Sequence, residues 1–372
     1  MKYLKYLLKA KWIFSPPKRN KFVLVDGEYN PFLKYIKKKD FSILHRRGEE
    51  INFFILLKCF FKFKFTSLDY CATFIEYVSP KLILTGFDYH TIFYKLSKRT
   101  GVKTLMLQKG KRSEAEEIIT KPKKLFPKNS KKFFFVDYIF VYSKKTRDFY
   151  SSRIGGKYFI IGSFENNFVK LNIHQQKKEI VFISSYRPNN IERSQNEDRV
   201  ALELFKLAKK NKIPFKILPR FREVSAKPIA YSEELKLEIE FYKNFFKENV
   251  NFIIKSNLSS YDILQNYRYV FSTASTLAIE FLAKGGRAGF ITFKSKGNPY
   301  FNFGFGTYEG LKKKGLFWIN DHKFNTKEIT RVFNNVIHTK ESIWIKKSSI
   351  YSKKILSYEY NNISFKKIIN RI

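Results

Sequence analysis

Residues 269–286, YVFSTASTLAIEFLAKGG, join a strand to a helix through a turn rich in hydroxyl groups. The β-branched and aromatic run ends at Phe271, and the apolar residues beyond the turn continue at helical spacing. Small hydroxyl residues let a phosphate approach the backbone, and the free N–H groups and positive dipole of the new helix complete an anion site. An ordinary Ser/Thr helix cap is the competing interpretation. The turn carries four hydroxyl residues: Ser272, Thr273, Ser275 and Thr276.

The same alternation of strand and helix runs through most of the chain, which is typical of parallel α/β sheets. Strand-like runs in the first half are Phe22–Val25, Phe41–Leu44, Leu82–Leu84, Val102–Leu107, Tyr138–Tyr142 and Tyr158–Ile161. The second half repeats the cycle at Ile180–Ser184, Phe215–Leu218, Asn251–Ile254, Tyr269–Ser272 and Ala288–Thr292. We therefore expect an α/β protein with two doubly wound, Rossmann-like domains facing a cleft.

The length agrees with two domains, because 372 residues exceed what one compact open-sheet domain normally holds. A polar, weakly periodic stretch between the two sets of strands is the candidate linker. The expected segments are an amphipathic N-terminal segment (1–20), a first domain (21–165), a linker (166–178), a second domain (179–345) and a basic helical tail (346–372).

The composition excludes a disordered chain and points to an anionic partner. With 44% hydrophobic and 18% aromatic residues, the chain can drive its own collapse. The formal net charge of +40 is far more than solubility requires. Two explanations of that charge stay open: selection for binding to an anionic surface, and the compositional bias of an AT-rich genome.

Cysteine and acidic residues argue against a disulfide framework and against a metal site. Cys59 and Cys71 are the only cysteines, so a reducing cytoplasm is the simplest compartment. No Asp-x-Asp triplet occurs, so the chain lacks a usual motif for binding the divalent ion of a nucleotide diphosphate. The sequence therefore predicts metal-independent chemistry without a cofactor.

Two apolar stretches near the N-terminus are candidates for membrane contact. In residues 1–17, lysines interrupt every apolar run, so neither a signal peptide nor a membrane span is expected. The lysines fall on one helical face, which fits either an anionic membrane interface or a helix packed on its own domain. Ile51–Phe65 is too short to cross a bilayer and is expected to be a buried helix, or one whose face touches lipid.

The opening turn gives the chain a family resemblance. Together with Gly285 and Gly286 and a further apolar strand, it resembles bacterial surface-carbohydrate glycosyltransferases of the GT-B type, especially O-antigen biosynthesis proteins. The matching pattern is S-T-x-S-T-L-x-x-E-x-x-x-x-G, although Arg287 stands where such proteins often have Lys. Residues 44–52 and 81–94 look like strand-to-helix turns of the family's first domain. Residues 102–112 are similar to a strand ending in Gln-Asn-Gly-x-Arg, with Lys109 in place of Asn.

The resemblance implies sugar transfer from a nucleotide-sugar donor to a glycan or lipid-linked acceptor. It implies that the donor diphosphate lies over the Ser/Thr turn, with Glu280 one helical turn further placed to accept hydrogen bonds from ribose or sugar hydroxyls. Arg187 and Arg220 each follow a strand of the second domain and are candidate phosphate ligands. Solvated surface arginines are the alternative. The first-domain motifs imply three acceptor-binding residues: Asn52, Gln108 and Arg112.

Transfer also needs a base that takes the acceptor's proton. Asp88, Glu50 and His90 lie at expected first-domain turns, and Asp88 leads because it directly follows a strand. A helix N-cap is the alternative role for Asp88, and a surface or capping histidine is the alternative for His90.

Other functions stay open at this stage. A nucleotide-sugar epimerase would turn over the donor alone, and a polyol-phosphate transferase with a cytidine-linked donor would differ in its product. A basic nucleic-acid- or membrane-binding protein, or a non-catalytic scaffold, is the alternative of a different class. Against nucleic acid, the chain has no helix-turn-helix, zinc-finger or RNP-like signature, and its lysines are spread along the sequence.

Overall fold

The computed structural model divides the chain into two compact units. Among the described residues, unit 1 contains those up to Glu165 together with 361–372, and unit 2 contains 166–360. The structure describes residues 10–26, 30–46, 49–88, 91–109, 129–186, 196–221, 230–254, 258–294, 304–308 and 310–372.

Unit 1 is built on a parallel sheet of six strands in the order β3-β2-β5-β6-β7-β8. Its strands are β2 (Phe22–Val25), β3 (Phe41–Leu44), β5 (Leu82–Thr85), β6 (Thr104–Leu107), β7 (Phe135–Val141) and β8 (Gly155–Ile160). A separate parallel pair joins β1 (Lys11–Ile13) to β4 (Glu50–Asn52). Among the described residues, the helices between these strands are α1 (Phe53–Phe61), α2 (Ser67–Val78), α3 (Phe93–Thr100) and α4 (Lys144–Ser151).

Unit 2 has a seven-stranded sheet in the order β11-β10-β9-β12-β13-β15-β14. The strands are β9 (Lys177–Ile183), β10 (Phe215–Leu218), β11 (Asn251–Phe252), β12 (Tyr267–Ser272), β13 (Arg287–Phe293), β14 (Lys314–Gly315) and β15 (Trp318–Asp321). All neighbouring pairs are parallel except β14 with β15. The helices are α5 (Glu197–Lys210), α6 (Ala230–Phe246), α7 (Ser260–Leu264), α8 (Thr276–Ala283), α9 (Thr326–His338) and α10 (Glu341–Ile355).

The strands that form the sheet centres are apolar because they are buried on both faces. Every residue of β2, β5, β6 and β13 is buried. The predicted α/β class with parallel sheets is confirmed, and all eleven predicted strands are present. The very short strands β1, β4, β11 and β14 carry too few residues for a pattern, and of these only β11 was anticipated.

The lysines and leucines that suggested an N-terminal helix lie in residues 1–9, outside the described residues. Residues 11–13 form strand β1, and Lys11 Nζ lies 2.8 Å from Glu50 Oε1 on the neighbouring strand β4. The aromatic side chains beside this strand pack on α1, with Phe14 and Phe53 ring centroids 5.4 Å apart. Pairing with β4 therefore determines the backbone of residues 11–13.

The expectation that Ile51–Phe65 is buried is wrong for the end of this stretch. Ile55 and Cys59 of α1 are buried, but Phe61 is 75% exposed and Phe63 is 85% exposed. Only one face of α1 packs on the core, so its apolar character exceeds what burial requires. In the described part of the chain, no helix is both long enough and apolar enough to cross a bilayer.

The end of the chain contributes to both units. Helix α10 belongs to unit 2, whereas the last helix, α11 (Ile363–Ile369), belongs to unit 1. Phe365 of α11 is fully buried in an aromatic cluster, with its ring 4.8 Å from that of Phe164 and 5.8 Å from that of Phe32. Asn362, also fully buried, donates a hydrogen bond of 2.9 Å to the Phe164 carbonyl. The expected tail 346–372 thus contains most of α10 and all of α11.

Phe365→Ala should destabilise unit 1 by about 3–5 kcal/mol, because it leaves a cavity inside this aromatic cluster. Ile363→Ala, on the same helix at a side chain that is 50% exposed, should cost much less. Hydrogen exchange across a urea series, followed on peptides from β5 and β6, measures the difference. Equal effects of the two substitutions would show that α11 does not stabilise unit 1 through its buried ring.

Candidate functional site

In the sheet of unit 2, the order in which strands are added reverses between β9 and β12. From β9 the chain builds outward through β10 and β11, then returns to place β12 on the other side of β9. In open parallel sheets, ligands bind beyond the carboxyl ends of the strands at such a switch point. Ser272, the last residue of β12, pairs with Ile183, the last residue of β9. The Ser/Thr turn predicted from the sequence therefore lies at the switch point.

The hydroxyl groups of this turn do not all serve as helix caps. Ser275 occupies the N-cap of α8, yet its side chain makes no capping hydrogen bond. The Ser275 N–H instead donates to Ser272 Oγ at 3.3 Å. Ser272 is buried, while residues 273–277 are partly exposed. The ordinary capping interpretation therefore does not account for Ser275, and the start of α8 presents hydroxyl groups to solvent beside a positive helix terminus.

A buried carboxylate links the turns that follow β9 and β12. Glu197, the first residue of α5, accepts a short hydrogen bond from the Ser185 N–H beyond β9. The Tyr242 hydroxyl lies 3.0 Å from Glu197 Oε1 and 2.9 Å from Ser184 Oγ. Across the switch point, the Thr273 hydroxyl donates to Glu197 Oε2 at 3.4 Å. A single side chain thus contacts both turns of the candidate site.

Burial raises the pKa of Glu197 from its ordinary value of 4.5 to about 7, although the hydrogen bonds from Ser185 and Tyr242 oppose the shift. Burial also raises the pKa of Glu238, against hydrogen bonds from Ser184, Arg220 and Phe221. Two acidic groups at this sheet edge therefore hold protons more tightly than exposed carboxylates do.

Glu238 also holds the turn that carries a predicted arginine. Its carboxylate accepts hydrogen bonds from the N–H groups of Arg220, at 3.0 Å, and Phe221, at 3.1 Å. Because β10 is next to β9, Arg220 lies at the same edge of the sheet as the Ser/Thr turn, and its side chain is exposed. Glu238 thus holds the backbone of Arg220, while the Arg220 side chain extends into solvent.

The remaining donor candidates differ in exposure. Glu280 is only 3% exposed, and its carbonyl accepts a 2.9 Å hydrogen bond from Asn166. The Thr292 hydroxyl donates to the Thr273 carbonyl at 2.5 Å, which ties β13 to the turn.

Two arginines of unit 2 do not add to the observed site. Arg287 of the resemblance motif is the first residue of β13, at the amino end of the strand and therefore away from the Ser/Thr turn, and it pairs there with Glu341. Arg187 lies outside the described residues.

The leading base candidate, Asp88, is buried in unit 1. It is 1% exposed, and its Oδ2 accepts a 2.8 Å hydrogen bond from the Tyr150 hydroxyl. The Tyr94 hydroxyl donates to the Asp88 carbonyl at 2.7 Å. Ile92, rather than Asp88, stands at the N-cap of α3. Asp88 therefore ties two tyrosines to the turn after β5.

The second base candidate, Glu50, is more accessible. Its side chain is 34% exposed and pairs with Lys11 at 2.8 Å and with His45 at 3.6 Å. Both Glu50 and His45 line a cavity of about 230 Å³ in unit 1. This arrangement leaves a carboxylate beside an imidazole at an open cavity. His90 lies outside the described residues.

The acceptor candidates in unit 1 make hydrogen bonds within the chain. Asn52 caps α1 through a 3.1 Å bond from the Ile55 N–H and donates to the Ser15 carbonyl at 2.8 Å. Gln108 Oε1 accepts a 2.8 Å bond from the Tyr142 N–H. Asn52 also lines the cavity that contains Glu50. Arg112 lies outside the described residues.

Sequence reasoning missed the residues that fix the turns: Ser184, Glu197, Glu238 and Tyr242. An acidic residue in the first turn of a helix is normally interpreted as a partner of the helix dipole, so Glu197 gave no distinct signal. Glu238 and Tyr242 are four residues apart on α6, and that spacing on a helical face was the only available clue. Within the described ranges, no three His, Cys, Asp or Glu side chains group as a metal site.

Comparison with known families identifies the chain's relatives. A family model described as "putative O-antigen biosynthesis protein" matches residues 105–372. The chain belongs to this O-antigen biosynthesis family. No curated protein sequence matches the chain.

Solved structures of GT-B glycosyltransferases share the fold. A variant of the wall teichoic acid polymerase TagF matches with a TM-score of 0.51 at 13% identity, over 95% of this chain and 88% of that one. HepE from Anabaena, in complex with UDP and glucose, matches with a TM-score of 0.48 at 10% identity, over 95% and 98%. S. aureus TarM has a TM-score of 0.43 at 18% identity over 82% of this chain, which spans 58% of TarM.

Glu197 should make the stability of unit 2 depend on pH. Between pH 4.5 and about 7 the folded state keeps a proton that the unfolded state releases. The contribution is therefore full below pH 4.5 and is lost as the pH rises through about 7. Glu197→Gln should reduce the fall in unfolding free energy between pH 5 and pH 8 by roughly 2.5 kcal/mol.

Urea unfolding of unit 2 at the two pH values measures this effect. Glu203→Gln, further along the same helix, is the control. If the Glu197 variant keeps the wild-type dependence on pH, the carboxylate is already ionised in the folded protein at pH 5.

Proposed function

We propose that this O-antigen family protein transfers a sugar from a nucleotide-sugar donor to a glycan or lipid-linked acceptor in bacterial surface-polysaccharide synthesis. The observation that carries the proposal is the Ser/Thr turn at the start of α8, which lies at the switch point between β9 and β12. Helix termini at such points bind phosphates through N–H groups and the helix dipole.

The donor diphosphate would lie over Ser272 to Thr276. Two cations follow the neighbouring strands in sequence: Arg187 after β9 and Arg220 after β10. A guanidinium can hold two phosphate oxygens at once. Positive charge from the arginines and the helix terminus would offset the diphosphate without a metal ion, and no further cofactor enters the scheme.

The transfer step requires little covalent chemistry from the protein. The acceptor hydroxyl forms a new bond to the anomeric carbon of the sugar and gives its proton to a base. The bond from that carbon to the diphosphate breaks, and the nucleotide diphosphate leaves with the electron pair. Cations stabilise the charge that develops on the leaving oxygens.

Unit 1 would bind the acceptor and supply the base. Asp88, Glu50 and His90 stay the candidates, and accessibility favours Glu50, because its carboxylate opens on a cavity whereas that of Asp88 is bonded to Tyr150. Asn52, Gln108 and Arg112 are the proposed acceptor residues. We place the protein in the cytoplasm, with peripheral contact to an anionic membrane face that holds lipid-linked acceptors.

The identity of the donor can be screened directly. UDP, GDP, CDP and CMP sugars are compared by thermal shift, since a ligand at 100 times its Kd stabilises the folded state by about 2.7 kcal/mol. If a CDP-linked polyol stabilises the protein and the nucleotide sugars do not, the proposed transferred group changes to a polyol phosphate, and the proposed donor site stays the same.

Ser275→Ala combined with Thr276→Ala should weaken binding of the selected nucleotide at least tenfold, since a hydrogen bond to a charged oxygen contributes about 1.5–3 kcal/mol. The control is Thr326→Ala, at the first position of α9, which follows β15 at the same edge of the sheet but away from the switch point. Calorimetry measures both affinities. Unchanged affinity in the double variant would remove the donor-site assignment.

The two units should give different kinetic signatures. Glu50→Gln should lower kcat by roughly 10²–10⁴-fold if Glu50 is the base, with donor affinity unchanged. Arg220→Ala should weaken donor binding, while Glu238 still holds its backbone. Steady-state transfer assays combined with calorimetry separate these effects.

Asp88→Asn is the companion variant. If Asp88→Asn stops transfer in a folded protein while Glu50→Gln is active, Asp88 is the base. If neither substitution matters, the base assignment to these two residues fails.

A further inference from the structure

Four phenylalanines at the end of α1 and just beyond it are exposed: Phe60 (62%), Phe61 (75%), Phe63 (85%) and Phe65 (72%). We call them the aromatic corner. Three of the rings contact one another, with the Phe60 centroid 5.9 Å from that of Phe61 and 6.3 Å from that of Phe65. Single exposed apolar residues are ordinary, but a contiguous exposed patch marks an interaction surface.

The backbone of the corner is also unusual. Phe63 has a φ of +53°, in the left-handed region where glycine and asparagine are favoured and a bulky residue is strained. The turn that ends α1 would form more easily with glycine at this position. A phenyl group that is 85% exposed gains little from the fold in return. Neither packing nor backbone preference therefore explains Phe63.

Positive charge surrounds the corner. Residues 53–65 contain Lys58, Lys62 and Lys64 and no acidic residue. Lys62 and Lys64 share one carboxylate, that of Glu76, at 3.5 and 3.7 Å. Lys58 lies over the ring of Phe54, 4.9 Å from its centroid. Apolar rings that alternate with lysines match the two layers of an anionic membrane surface, which are acyl chains below and phosphates above.

We propose that the aromatic corner inserts into the interface of an anionic lipid bilayer, with its phenyl rings among the acyl chains and its lysines at the lipid phosphates. A bilayer fits better than a second copy of the chain, because each copy carries a net charge of +40 and the lysines of two facing corners would repel. The reason for membrane contact, access to a lipid-linked acceptor, rests on the proposed function. The insertion itself does not.

A cavity of about 490 Å³ borders the same corner of unit 1. Its lining includes Leu56, Phe60 and Phe65 together with Arg46 and Lys64. Lipid chains that reach the phenyl rings would therefore meet further apolar surface, with cations at its margin.

The test compares vesicles of 70% phosphatidylcholine and 30% phosphatidylglycerol with vesicles of phosphatidylcholine alone, by flotation. Replacing Phe61, Phe63 and Phe65 together by Ser should lower the partition coefficient for the anionic vesicles by roughly 30- to 1000-fold, since each phenyl contributes roughly tenfold when fully buried and less when partly buried in the interface. Phe133→Ser is the matched control, because Phe133 is 63% exposed, belongs to unit 1 and follows two lysines. It should bind as the wild type does.

A second variant tests the depth of insertion. Phe63→Trp should show blue-shifted emission and quenching by brominated acyl chains above the background of the three native tryptophans, whereas Phe133→Trp should not. Lys62→Gln with Lys64→Gln should reduce the preference for anionic vesicles and leave quenching in the bound fraction unchanged.

Three outcomes would overturn the proposal. The first is vesicle binding by the triple serine variant that is as tight as that of the wild type, and the second is binding that depends only on residues 1–9. The third is a dimer in sedimentation that dissociates in the serine variant, which would assign the corner to a second copy. Nucleotide affinity, measured by calorimetry on the same variant, separates these results from failure of the proposed function, because the donor turn belongs to unit 2.

Discussion

Parallel strands that are buried on both faces leave only their ends for polar chemistry. In β2, β5, β6 and β13 every residue is buried, so a polar ligand has no access along these strands. In unit 2 the strand order reverses between the neighbouring strands β9 and β12, and this reversal is the switch point at the carboxyl edge of the sheet. The hydroxyl-rich turn, the start of α8 and the exposed Arg220 all lie at this edge because the sheet allows polar groups to gather there.

The turns at this edge are held by buried carboxylates rather than by the sheet alone. Glu197 contacts the turns after both β9 and β12, and Glu238 holds the turn after β10. Burial raises the pKa of both carboxyl groups, and that of Glu197 reaches about 7, so the hydrogen bonds that Glu197 makes to the two turns depend on protonation near neutral pH. An anion that approaches this edge therefore meets backbone groups and hydroxyls whose positions are already fixed, and preorganised donors bind charge more strongly than mobile ones.

The sequence predicted those parts of the structure that depend on local patterns. The long apolar strands and the turn at Ser272–Thr276 were predicted because buried strands and helix starts leave clear signals in composition and spacing. Strands β1, β4 and β14 were missed, because β1 and β4 form through pairing with each other across a long stretch of sequence and the two residues of β14 are too few for a pattern. The interpretation of Ile51–Phe65 as buried failed at Phe61 and Phe63, because hydrophobicity alone cannot tell a core from an exposed apolar surface. The hydrogen bond between Asp88 and Tyr150 spans 62 residues and left no trace in the sequence.

The central claim is that a nucleotide diphosphate binds at the start of α8 in unit 2. Hydrogen–deuterium exchange, with and without a saturating nucleoside diphosphate chosen by the thermal-shift screen, tests it most directly. The account predicts slower exchange in peptides that cover residues 272–280, with little change at the start of α9, which begins at the same edge of the sheet. Binding without protection of residues 272–280, or with protection confined to the turn after β5 in unit 1, would contradict it.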